Sequence, residues 1–89
     1  MQMSAELSLY PLASEVDSTV LEFIHELLCS NDVSAVTNSM STQVTGPSDA
    51  VFRAVQRALE KSYERHGRQV LVAKFIPDHR MEIAPSSSS

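Results

Sequence analysis

The stretch Asn38-Ser39-Met40-Ser41-Thr42-Gln43-Val44-Thr45-Gly46 decides how this chain folds, because it lies midway between two segments with helical patterning. It reads as two short strands meeting at a tight polar turn near Ser39-Met40-Ser41. Val33 to Met40 is β-branched and small enough for a strand, and Thr42 to Thr45 is another, the composition that suits a pleated, half-buried surface. No Asn-Gly or Gly-Gly pair specifies the turn type, which leaves the register open. With one strand and one helix on each side of this hairpin, the 89 residues make a βαββαβ unit and not a helical bundle.

Upstream, Ser4 to Tyr10 alternates with period two. Ala5, Leu7 and Leu9 project to one face, and Glu6, Ser8 and Tyr10 to the other. Pro11 ends that strand. Asp17 then has the character of a helix N-cap, with Val16 placed to staple onto Leu21. Val20, Leu21, Ile24, Leu27 and Leu28 follow at helical spacing, Glu22 and Glu26 are expected outside, and Asn31-Asp32 is the stop. Downstream, Gly46-Pro47-Ser48-Asp49 opens a second helix: proline is tolerated in a first turn, and Ser48 or Asp49 can accept amide protons there. Its expected apolar stripe is Val51, Phe52, Val55, Ala58, Leu59 and Tyr63, and His66-Gly67 supplies a left-handed cap. Val70 to Ile76 is the last strand, with Val70, Val72, Lys74 and Ile76 on one face, closed by Pro77-Asp78.

Crossover helices between strands of one sheet fall on the same side. The expected fold is therefore α+β: a ferredoxin-like βαββαβ sandwich, a four-stranded antiparallel sheet with two helices on one face. Residues 1–78 form this domain, and 79–89, ending in Pro85 and four serines, are expected to be a frayed tail. The uncovered sheet face carries Glu6, Ser8, Tyr10, Val70, Val72 and Ile76, too apolar to stay wet, so a second subunit is expected to meet it.

Composition excludes several classes. A formal net charge of −4 with scattered basic residues argues against nucleic acid. No apolar run approaches the ~20 residues that span a bilayer, and no signal-like block opens the chain, so a cytosolic protein without a membrane partner is expected. The lone Cys29 forms no intramolecular disulfide or multi-cysteine metal site. His25, His66 and His79 share no metal-ligand spacing and read as solvated or capping groups; Glu22 and Glu26, four apart, read as a solvated helix face. The two glycines make no phosphate-binding loop. No nucleophile, base and orienting group assemble, so catalysis is not expected, and neither a metal nor a cofactor is implied.

Polar side chains converge elsewhere. Ser8 and Tyr10 at the end of the first strand, with Asn38, Ser41 and Thr42 around the hairpin tip, offer uncharged donors and acceptors beside one aromatic face. Such a set suits a flat heteroaromatic ligand, although turn residues and surface strand residues look the same on spacing alone.

Three segments carry more than their physics: Ser4-Ala5-Glu6-Leu7-Ser8-Leu9-Tyr10-Pro11-Leu12, Met40-Ser41-Thr42-Gln43-Val44-Thr45-Gly46, and Val51-Phe52. Their order and spacing, over about residues 4 to 77, resemble the thiamine-binding, YkoF-like family. The resemblance implies a ferredoxin-like domain that forms homodimers or homotetramers and binds thiamine or its hydroxymethylpyrimidine half without catalysis. It implies that Ser8, Tyr10, Asn38, Met40, Ser41 and Thr42 line the pyrimidine pocket, with Phe52 expected in the core. Glu6 or Tyr10 would face the thiazolium cation of the whole vitamin. The reading that follows is a non-enzymatic carrier or sensor of thiamine or hydroxymethylpyrimidine, one pocket per subunit of a homo-oligomer. The alternative is a regulatory protein-interaction module using the exposed sheet face.

Overall fold

The chain runs β1 (Gln2–Pro11), α1 (Val16–Leu28), β2 (Ser34–Thr37), β3 (Thr42–Pro47), α2 (Ser48–His66) and β4 (Gln69–Pro77). These bounds come from a computed structural model that describes residues 1–13, 16–29, 32–37 and 41–79, the side chains of 16 and 17 excepted. All four strands pair antiparallel in the order β2-β3-β1-β4. This is the expected ferredoxin-like α+β fold, with the chain's central hairpin at one edge. The Asp17 cap, the Val16 staple, Asn31 and the turn from Asn38 to Met40 lie outside the described residues.

The two-residue alternation of β1 sorts the molecule into layers. Ala5 and Leu7 join Val44 of β3, Phe23 and Leu27 of α1, and Ala50, Val51, Ala54, Val55 and Ala58 of α2 in one core, so both helices lie on the same side of the sheet. Burying such side chains stabilises the fold by roughly 1.5–3 kcal/mol for each large one.

Both helices are rotated relative to the stripes read from sequence. In α1 the buried positions are Thr19, Phe23 and Leu27, spaced four apart, whereas Leu21 and Leu28 are exposed. In α2 the buried face is Ala50, Val51, Ala54, Val55, Ala58 and Ser62, and Phe52 and Tyr63 are 49% and 59% exposed. The expectation of Phe52 in the core is therefore corrected. Small alanines on the inner face let α2 sit close to the sheet, which turns the bulky aromatics onto its flank. Phe52 there stacks on Phe75 of β4, ring centroids 4.6 Å apart.

The ends of α2 use the backbone. Ser48 N–H donates to the Met1 carbonyl at 2.7 Å, and no side chain caps the helix start, contrary to the expected Ser48 or Asp49 cap. At the other end Gly67 takes φ 81° and donates its N–H to the Tyr63 carbonyl at 2.8 Å, as its place after His66 suggests.

Candidate functional site

Register assigns each candidate side chain to a face. Ser8 pairs with Val72 and Tyr10 with Val70 across β1 and β4. All four lie on the face away from the helices, with Tyr10 54% and both valines 46% exposed. Glu6 shares that face, opposite Lys74 on β4 and Gln43 on β3. Ser41 joins from the start of β3: its hydroxyl donates to Glu6 Oε2 at 3.2 Å, while Lys74 Nζ stands 3.7 Å from Glu6 Oε1. The open face thus presents an apolar and aromatic floor bordered by two hydroxyls, a carboxylate and an ammonium.

Thr42 does not share it. It pairs with the core residue Leu7 and is 6% exposed on the helix side. Its hydroxyl bonds to that of Thr37. The single hollow expected from Ser8, Tyr10, Ser41 and Thr42 is corrected on this point, because a period-two strand cannot direct Ser41 and Thr42 to the same face. Asn38 and Met40 lie outside the described residues.

The acidic pair on α1 also differs from its solvated reading. α1 and α2 lie side by side, so Glu22 and Glu26 meet the cations of α2. Glu22 Oε1 is 2.9 Å from His66 Nε2 and 3.4 Å from Arg65. Glu26 stands 3.6 Å from Arg57 and 3.9 Å from Lys61. The hydrogen bond from His66 holds the Glu22 carboxyl below its usual range against the opposing effect of burial, with smaller help from the charge of His66 and from the hydrogen bond and charge of Arg65. These groups form a polar seam between helices and not a paired-carboxylate site. The repeat of basic residues at 57, 61 and 65, spaced four apart like Glu22 and Glu26, was the available signal.

Among the described residues no cluster of His, Cys, Asp and Glu could hold a metal ion, Cys29 is exposed, and no helix is long and apolar enough to cross a membrane. Shallow grooves beside α1 (Leu21, Glu22, His25, Glu26 and Arg65) and along α2 (Leu59, Glu60, Tyr63, Glu64 and Gln69) lie away from the open-face set.

A family model described as thiamine-binding protein matches residues 5–82. The chain belongs to this family. Its thiamine-related role follows from that membership, as does a small-molecule ligand. No functionally curated protein matches the chain. Among solved structures, a hypothetical protein of Methanocaldococcus jannascii is 25% identical with a TM-score of 0.77, covering 93% of this chain and 84% of the other. A domain of unknown function from Bacillus cereus is 23% identical at a TM-score of 0.78, with the same coverages of 93% and 84%. A Thermotoga maritima protein provisionally assigned to thiamine biosynthesis or salvage is 17% identical at 0.63, covering 84% and 82%. The last two likenesses bear on the fold alone.

Proposed function

We propose that this member of the thiamine-binding protein family binds thiamine or its hydroxymethylpyrimidine moiety without transforming it, as a cytosolic carrier or sensor. The observation that carries the reading is the half-exposed Tyr10 ring beside Ser8, on the face that also holds Glu6 and Ser41. An aminopyrimidine needs an acceptor for its exocyclic amine, donors for its ring nitrogens and an apolar wall. Glu6, the hydroxyls of Ser8 and Ser41, and Tyr10 with Val70 and Val72 match those needs. Glu6 and the Tyr10 ring would also favour the thiazolium cation of the whole vitamin. The resemblance that nominated Thr42 is set against its place on the helix side.

The exposed valines and Ile76 favour a homodimer or homotetramer formed through this sheet, with the ligand enclosed at the junction. They equally favour the second reading, a regulatory module whose sheet face docks another protein. Titration calorimetry with thiamine and with hydroxymethylpyrimidine separates the two. Saturable heat with either compound supports the vitamin-binding reading, and no heat from both at millimolar concentration removes it.

A further inference from the structure

Glu6 and Lys74 are the only charged residues in the four strands, and both lie on the open face. They stand directly opposite one another on β1 and β4, with Gln43 of β3 on the other side of Glu6. Both carboxylate oxygens are engaged: Oε2 accepts the Ser41 hydroxyl at 3.2 Å and Oε1 faces Lys74 Nζ at 3.7 Å. The Glu6 side chain is 37% exposed and that of Lys74 74%. Toward one end of the face Ser4 and Thr45 are buried, with their hydroxyls 3.1 Å apart, so the accessible stretch of β1 runs from Glu6 to Tyr10.

This pair governs the charge that the face accepts. A lone carboxylate near the Tyr10 ring would draw an organic cation. Here the ammonium offsets it, and the strands carry no net charge although the whole chain carries −4. A ligand cation brought to Glu6 meets a like charge at the same carboxylate, and gains only what is left after Lys74 is displaced into solvent. An uncharged ligand meets no such opposition: a carboxylate has about four lone-pair sites, so an added N–H can be accepted with Ser41 and Lys74 still in place. Exposed ion pairs contribute little to folding. Their effect on a second charge grows once a bound ligand excludes water from between the groups.

We infer that Lys74 determines specificity on this face: by offsetting Glu6 it disfavours the cationic thiazolium of thiamine and favours the uncharged hydroxymethylpyrimidine. The inference rests on the vitamin reading above and adds to it the ligand charge that the site selects. Lys74 acts through Glu6 and has no need to touch the ligand itself.

The test titrates the full chain at low ionic strength with hydroxymethylpyrimidine, with thiamine, and with a thiamine analogue in which a neutral thiophene replaces the thiazolium. The parent should bind the neutral analogue at least about threefold more tightly than thiamine, and added salt should shrink that preference. Lys74→Met keeps the unbranched stem and removes the charge. It should abolish or reverse the preference and leave hydroxymethylpyrimidine affinity within about twofold of the parent, whereas Lys74→Arg should retain the preference. A parent that favours thiamine over its neutral analogue, or a ratio that Lys74→Met leaves unchanged, overturns the inference while vitamin binding stands. No binding of any of the three compounds by the parent removes the vitamin reading, and the selection by charge with it.

Discussion

Leu7 of β1 and Thr42 of β3 stand directly opposite one another on the helix side of the sheet, which removes Thr42 from the face that carries Tyr10. Thr42→Val should therefore leave thiamine affinity within about twofold of the parent. It breaks the Thr37–Thr42 hydroxyl contact, and Thr37, being exposed, recovers a water partner. The stability loss should stay near 1 kcal/mol. Denaturant titration alongside calorimetry checks both numbers.

Tyr10→Ala should do the reverse. The ring is more than half exposed, so its loss should cost the fold no more than about 1 kcal/mol. Removing the aromatic wall should weaken the vitamin by tenfold or more, while Ser8→Ala costs roughly one hydrogen bond, about 0.5–1.5 kcal/mol. Unaltered affinity in both variants would move the pocket off this face.

Val72→Glu addresses assembly. Val72, on the edge strand β4 and opposite Ser8, is 46% exposed on the open face, where a buried interface would leave an added carboxylate unpaired. Sedimentation of the variant at micromolar concentration should give a monomer from an oligomeric parent. A variant that sediments like its parent would exclude the face as the contact between copies.

Gly46→Ala should be among the most damaging single changes. A Cβ there would meet the Asp32 carbonyl oxygen at 2.6 Å and the Val33 Cα at 3.2 Å, so the segment entering β2 would have to shift. Overpacking of this kind costs about 1–3 kcal/mol, readable as a lowered denaturation midpoint with an unchanged slope.

Acid stability should carry a small signature of Glu22. Its carboxyl is held below 4.5 in the folded chain, first by the hydrogen bond with His66 and then by the charge of His66 and the hydrogen bond and charge of Arg65. The unfolded chain thus takes up the proton at a higher pH than the folded one. The stabilisation is present above pH 4.5 and fades as the pH falls through the lowered folded value. Glu22→Gln should flatten that part of the melting-temperature profile and leave the neutral region shifted only slightly, since the group is exposed and screened.

Which parts of this were legible in the linear chain follows from the range of the physics. Alternation in Ala5-Glu6-Leu7-Ser8-Leu9-Tyr10 assigned the two faces of β1 correctly, because strand periodicity is local. Pro47 and Gly67 bounded α2 for the same reason. The faces of the helices were less legible. Phe23 and the alanines of α2 turned out to be core while Phe52, Tyr63, Leu21 and Leu28 did not. A residue's own hydrophobicity does not report how closely a neighbouring layer approaches it.

The candidate site divides along the same line. Ser8 and Tyr10 lie two apart on one strand and had to share a face. Thr42 could be assigned only through its partner across the ladder, and Glu22 and Glu26 only through the cations of α2. The βαββαβ order, the layer to which each β1 residue belongs and the family rest on patterns a few residues long, whatever the distant parts of the chain do. The pairing of Ser4 with Thr45, the rotation of both helices and the polar seam between them rest on contacts among residues roughly thirty to eighty positions apart. Register and packing set those contacts, and neither leaves a local mark in the residues they bring together.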